Sequence, residues 1–182
     1  MGRLVLGLTG MPGSGKSIVA EFLKQKGFRI FEMGDVIRSM MKKKGIEITN
    51  HSLREFSLNL RRRYGNDIVA KESVKQLKKM KGNVVISGVR SINEMRYFKK
   101  SIPELILIAL VAPKQTRFQR LKKRKRSDDP QTLKEFDYRE EKETVYGIPR
   151  AVKMADLIVS NAGSIKELNA SIGFALTKLA KN

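Results

Sequence analysis

The stretch Gly10-Met11-Pro12-Gly13-Ser14-Gly15-Lys16-Ser17 follows directly on the apolar run Leu4-Val5-Leu6-Gly7-Leu8. It spells G-x-x-x-x-G-K-S after a strand and before a helix, the context in which a phosphate-binding loop works. Glycines let successive backbone N–H groups turn inward onto phosphate oxygens, and the helix that opens with Ser17 and Ile18 adds the partial positive charge of its N-terminus. On this reading Lys16 reaches the β- and γ-phosphates of a nucleoside triphosphate and Ser17 ligates Mg²⁺. The plainer alternative is a glycine-rich turn that joins strand to helix.

Outward from the loop, apolar runs alternate with helical patterns. Strands are expected at 4–8, 28–31, 84–86, 105–111 and 157–159, most of them continuous apolar runs of the kind found in a parallel sheet covered on both faces. Helices are expected at 17–26, 36–44, 52–80 with a break near Gly65, 92–99, 114–125, 133–145 and 165–180. Ser164, with Glu167 three residues on, reads as a capping box before the last helix. This alternation predicts an α/β fold with right-handed crossovers and a five-stranded parallel doubly wound sheet.

The 182 residues, 41% apolar, suit one domain with a sizeable core. That core is expected from residues 1–33, 81–121 and 148–182. Residues 34–80 form a helical insertion too long for an ordinary crossover, and residues 122–147 combine basic residues with an acid-rich helix. Both are read as mobile subdomains over one core, of the kind that close on substrates. Cysteine is absent, so disulfides and thiolate metal sites are excluded. No run reaches the ~20 apolar residues of a membrane span, and the N-terminus enters a strand rather than a charged leader, so a cytoplasmic protein without membrane contact is expected.

Lysine and arginine total 38 against 18 acids, a net charge of +20. Polyanions are the natural partners of such a chain, nucleotides first and RNA or a ribosome-related assembly second. The runs at 42–44, 61–63, 78–81 and 122–126 have a plainer reading as solvated helix faces. The arginine-bearing ones are better suited to phosphate, which a guanidinium binds bidentately.

Two further arginines follow strand ends. Gly34-Asp35-Val36-Ile37-Arg38 sets a carboxylate and a guanidinium three apart at a helix start, and Ser87-Gly88-Val89-Arg90 leaves the third strand beside a glycine. Both fall at the carboxyl edge of the expected sheet, opposite the loop, where they could hold a second phosphate for in-line transfer.

With these residues the chain resembles the nucleoside monophosphate kinases, adenylate kinase above all, and in other stretches dephospho-CoA kinase; it is similar to an archaeal group described as adenylate-kinase-related. The resemblance spans nearly the whole chain. It implies that Gly34, Asp35 and Arg38 belong to an acceptor site whose arginine binds the monophosphate. Gly88 and Arg90 resemble a second acceptor motif, and Glu94 falls where the family reads the acceptor base. Arg120 and Arg124 are similar to the arginines entering the lid, one of them stacked on the donor adenine. Arg126-Ser127-Asp128-Asp129 and Arg139 resemble the rest of the lid's charged motif. The segment 155–164, with Asn161 and Gly163, is similar to the final strand and turn that frame the donor adenine in dephospho-CoA kinase.

The implied cofactors are ATP and Mg²⁺, and the implied acceptor is AMP or another monophosphate, in a monomer or homodimer. Lys16, Asp35, Arg124, Arg126 and Arg139 are the implied catalytic set. The chain departs from the family at Ser87, where adenylate kinases carry an aspartate that holds magnesium through water. Asp35 could compensate as a metal ligand, or serve as base toward a hydroxyl, as an aspartate does in dephospho-CoA kinase. Its plainer reading is a first-turn residue stabilised by the helix dipole. A structural ion pair is the plainer reading of Arg38 and Arg90, a loop residue that of His51, and packing that of Met40 and Met41.

Overall fold

The computed structural model describes residues 3–126 and 129–179. Five strands, β1 (Val5–Thr9), β2 (Arg29–Glu32), β3 (Val84–Ser87), β4 (Leu105–Val111) and β5 (Leu157–Ser160), form one sheet in the order β2-β3-β1-β4-β5. Every neighbouring pair is parallel, with Leu8 beside Ser87, Thr9 beside Ala109 and Glu32 beside Ser87. The expected five-stranded parallel sheet is therefore present.

Nine helices among the described residues connect and cover the strands. They are α1 (Lys16–Gln25), α2 (Met33–Lys43), α3 (Asn50–Tyr64), α4 (Ile68–Leu77), α5 (Ile92–Ser101), α6 (Lys114–Arg124), α7 (Leu133–Tyr146), α8 (Ile148–Lys153) and α9 (Ile165–Leu179). Alternation along the strands splits the core into two layers. Val5, Val84 and Ile86 pack with Val36, Met41, Val74, Leu77 and Phe98 from α2, α4 and α5. Leu6, Leu8 and Val85 pack with Val19, Leu23, Leu168 and Ile172 from α1 and α9. Each such side chain, fully buried, contributes about 1.5–3 kcal/mol.

Residues 34–80 share the first layer: Ile37, Leu60, Val69 and Ala70 lie in the same cluster as the strands. Met41 is completely buried there and Met40 packs against its edge. Most element boundaries differ from the sequence expectation by one to three residues, and one helix is additional. Helix α2 starts at Met33, not 36, which places Gly34 and Asp35 inside its first turn. Helix α8 was not expected. It is six residues long with Pro149 in its first turn, set off from α7 by Gly147 in the left-handed region (φ 98°) and held by the buried Ile148 and Ala151.

The winding fixes where a ligand can sit. Helix α1 leaves β1 on the second layer, whereas α5 leaves β3 on the first. The crevice between the carboxyl ends of β1 and β3 is thus a topological switch point, the place where open α/β sheets bind ligands. Among the described residues no helix is long and apolar enough to cross a membrane.

Candidate functional site

The loop from β1 to α1 is locked by close backbone approach. At Gly13 (φ 78°) a Cβ would come within 2.6 Å of the Arg117 carbonyl oxygen, and at Gly15 (φ 105°) it would strike the Asn161 amide nitrogen. Gly15 is the N-cap of α1, which has neither a side-chain cap nor an acid in its first turn. Its orphan N–H groups and dipole are left to an anion. Ser17 is exposed on that turn, and the fully buried Ser14 hydroxyl has no hydrogen-bond partner.

Lys16 folds back beneath the loop, its Nζ donating to the carbonyls of Gly10 at 2.5 Å and Met11 at 3.1 Å. Withdrawal of the ammonium from water lowers its pKa from the ordinary 10.5 to about 8. The guanidinium groups of Arg90, Arg139 and Arg124 add to this lowering, and the Glu143 carboxylate opposes it. Residues far apart in the chain thus act on one lysine. An anion bound among these four cations would relieve their mutual repulsion.

The segment 122–147, expected to act as a lid, is organised by two carboxylates. Asp129, its side chain fully buried, accepts from Arg124 at 2.9 and 2.5 Å, from the Arg126 backbone N–H at 2.9 Å and from Arg139 at 3.5 Å. The Arg124 hydrogen bond is the main reason its carboxyl titrates below the ordinary carboxylate value. Glu140 receives both guanidinium nitrogens of buried Arg117, at 2.5 and 2.7 Å. Arg117 also donates to the Pro12 carbonyl in the loop at 3.3 Å and lies over the Phe136 ring. Phe136, Arg139, Glu140 and Glu143 recur at helical spacing, so one face of α7 is turned to the loop. Of the lid residues, Ser127 and Asp128 lie outside the described residues.

On the donor side the expected residues come together. Arg120 donates to the Asn161 carbonyl at 2.9 Å, to its side-chain oxygen at 3.3 Å and to the Gly163 carbonyl at 3.4 Å. The Asn161 amide nitrogen donates to the Ser14 carbonyl at 2.8 Å. The turn after β5 is thereby tied to the phosphate loop. The Ser164 and Glu167 capping box is present at the start of α9.

The acceptor-side residues divide. Asp35 and Arg38 pair with each other at 2.7 Å on an exposed part of α2, with the guanidinium close over Gly34. The register of Glu32 with Ser87 brings the start of α2 to the same sheet edge as Gly88 and Arg90. Arg90 reaches Glu143 at 3.4 Å.

Glu94 does not present itself as a reader of a base. It is completely buried, one oxygen accepting from the Arg90 and Ser91 backbone N–H groups at 2.9 and 3.1 Å and the other from Arg61 at 3.0 Å. Ser91 returns the bond to the Glu94 N–H, so this is a second capping box. Arg61 is consequently spent on an internal ion pair, while Arg62 and Arg63 are exposed. His51 sits exposed on the first turn of α3 rather than in a loop.

Sequence reasoning missed Arg117, Glu140 and Glu143. The signal was the spacing of 136, 139, 140 and 143, which a reading of α7 as simply acid-rich passed over. Among the described residues no three His, Cys, Asp or Glu side chains converge on a metal position. A divalent cation here would be held jointly with phosphate oxygens, as suits Ser17 beside a triphosphate.

A family model described as AAA domain matches residues 9–137. Over 174 residues the chain is 39% identical to a UPF0200 protein of Thermococcus kodakarensis, covering 93% of this chain and 94% of that relative. Among solved structures, TT1252 from Thermus thermophilus matches with a TM-score of 0.69 at 20% identity, over 98% of this chain and 99% of that one. Shikimate kinase from Acinetobacter baumannii in complex with shikimate matches with a TM-score of 0.65 at 18% identity, over 97% and 94%. At these identities the two structures show a shared fold, that of the P-loop kinases. The loop, the sheet order and the match along nearly the full length agree: the chain, with its AAA-domain match over residues 9–137, belongs to the UPF0200 family.

Proposed function

We propose that the protein is an ATP-dependent phosphotransferase that moves the γ-phosphoryl group of ATP to a nucleoside monophosphate, with AMP the first acceptor to test. The observation that carries this reading is the uncapped N-terminus of α1 behind Lys16, with Arg124 and Arg139 sharing Asp129 and Arg90 paired to Glu143 of α7. Transfer of a phosphoryl group needs positioning and charge neutralisation more than covalent help from the protein.

In this mechanism the loop backbone and Lys16 hold the donor phosphates, and Arg120, Asn161 and Gly163 border its base. Arg38 and Arg90 orient the acceptor phosphate. One of its oxygens attacks the γ-phosphorus while the bond to the β,γ-bridging oxygen breaks, giving two diphosphates. Arg124, Arg126 and Arg139 close over the transferring group and exclude water. Mg²⁺, when bound at Ser17, supplies neutralisation of the β- and γ-oxygens. Lys16→Ala is expected to lower turnover by about 10²-fold or more. Transfer at the wild-type rate in that variant would remove the loop from the mechanism.

A second reading rests on Asp35, which stands exposed at the acceptor edge with Arg38 at 2.7 Å. There it could take the proton of a sugar hydroxyl, as dephospho-CoA kinase activity requires. Asp35→Asn would then abolish transfer to a hydroxyl, yet leave transfer to a monophosphate, whose attacking oxygen needs no base, within a few-fold. The net charge of +20 supports a further possibility, an ATPase that engages RNA or a ribosome-related partner.

A further inference from the structure

Glu143 is bonded unlike Asp129 and Glu140, the other two acids withdrawn from water in the segment 122–147. Asp129 and Glu140 each spend both oxygens on an arginine, with contacts of 2.5–2.9 Å. Glu143 is as withdrawn from water, 9% exposed, but only Oε1 is engaged, by Arg90 at 3.4 Å. Its Oε2 is buried with no hydrogen-bond partner. A clasp between α7 and the turn after β3 would be expected to use both oxygens, because an unmade bond to a buried charged group is expensive.

The position of this carboxylate matters. Arg90 is three residues beyond Ser87, and Ser87 pairs in register with Leu8, two residues before the loop begins. Helix α7, which carries Glu143, is tied to the loop one turn earlier, through Glu140 and Arg117, which donates to the Pro12 carbonyl. A triphosphate drawn to Lys16 brings several negative charges toward a fixed negative charge, a repulsion that a divalent cation between them turns into attraction. Ser87 offers a hydroxyl, which has no such charge. The buried Oε2 is an oxygen acceptor left unused, the kind of group a divalent cation needs.

We propose that Glu143 is the acidic residue that holds the divalent cation of the bound nucleotide, from the lid helix, in place of a carboxylate at position 87. This rests on the reading of the site as a nucleoside triphosphate site. Because the carboxylate comes from α7, cation binding and lid closure become one event, and the cation is complete only when the lid is shut over the phosphates.

The test uses the full chain with ADP, in EDTA and with Mn²⁺, following ADP affinity by calorimetry and bound Mn²⁺ by electron paramagnetic resonance. Mn²⁺ should tighten ADP binding to the wild type, and Glu143→Gln should lose about 10- to 100-fold of the ternary Mn²⁺ affinity. The same variant should bind ADP in EDTA as well as the wild type or better, since a repelling charge is gone. Adding Ser87→Asp to Glu143→Gln should recover Mn²⁺ binding. An unchanged Mn²⁺ affinity in Glu143→Gln overturns the proposal, as does a parallel loss of ADP binding in EDTA, which would make Glu143 a clasp. A double variant no better than Glu143→Gln overturns the exchange of roles with position 87. A wild type that binds no ADP under either condition instead overturns the nucleotide reading itself.

Discussion

Single residues carry the loop and the lid, and each makes a checkable demand. Gly15 has a backbone that side chains rarely adopt, and a Cβ there would push away the Asn161 amide that holds the Ser14 carbonyl. Gly15→Ala should destabilise the fold by about 1–3 kcal/mol, read as a lower urea midpoint, and weaken ADP binding in parallel. Asp129 makes a prediction about pH. Its carboxyl is held below its ordinary value of 3.8, chiefly by Arg124. For an acid depressed in the folded state, the stabilisation is complete above the unfolded pKa and is lost as pH falls through the folded one. The stability gap between wild type and Asp129→Asn should therefore be constant from pH 7 to about 5 and narrow below pH 4. A gap that widens in acid would contradict the assignment of Asp129 as the ionised centre of the lid.

At the scale of elements, α7 is joined to the loop by the Arg117 and Glu140 pair, with side chains 9% and 15% exposed. Removing one partner strands a buried charge, so Glu140→Ala should cost about 3 kcal/mol or more, and Arg117→Met combined with Glu140→Leu much less. A double-mutant cycle by chemical denaturation reads this coupling; a coupling near zero would mean that the pair does not hold the lid. The central strands were legible in the sequence because both faces of the sheet are covered there, which makes β1, β3 and β4 nearly unbroken apolar runs. Helix α8 was not legible, because six residues with a proline carry no periodic signal and only Ile148 and Ala151 tie it to the core. The capping box at Ser164 was read from its spacing, and the identical spacing at Ser91 was passed over. Glu94 was consequently given to a substrate when the start of α5 and Arg61 had claim to both of its oxygens.

For the whole molecule, the strand order decides where chemistry can happen and the charge decides what is attracted there. Residues 9–17, 34–38, 87–90, 120–143 and 161–163 are scattered in sequence, yet the switch point between β1 and β3 draws most of them to one edge. The phosphate loop was visible from spacing alone, since its chemistry is local. The surroundings of the loop were visible only in part, because Arg117 reaches the Pro12 carbonyl and Asn161 the Ser14 carbonyl through tertiary packing. Transfer of a phosphoryl group between two small substrates at this edge leaves a product that can be identified. Incubating the protein with γ-labelled ATP and Mg²⁺ against AMP, other monophosphates, dephospho-CoA and RNA, and identifying every labelled product, tests it directly. The account predicts label in a nucleoside diphosphate, with AMP giving ADP, and none of that product from Lys16→Ala. Label found only in inorganic phosphate with every acceptor would contradict it.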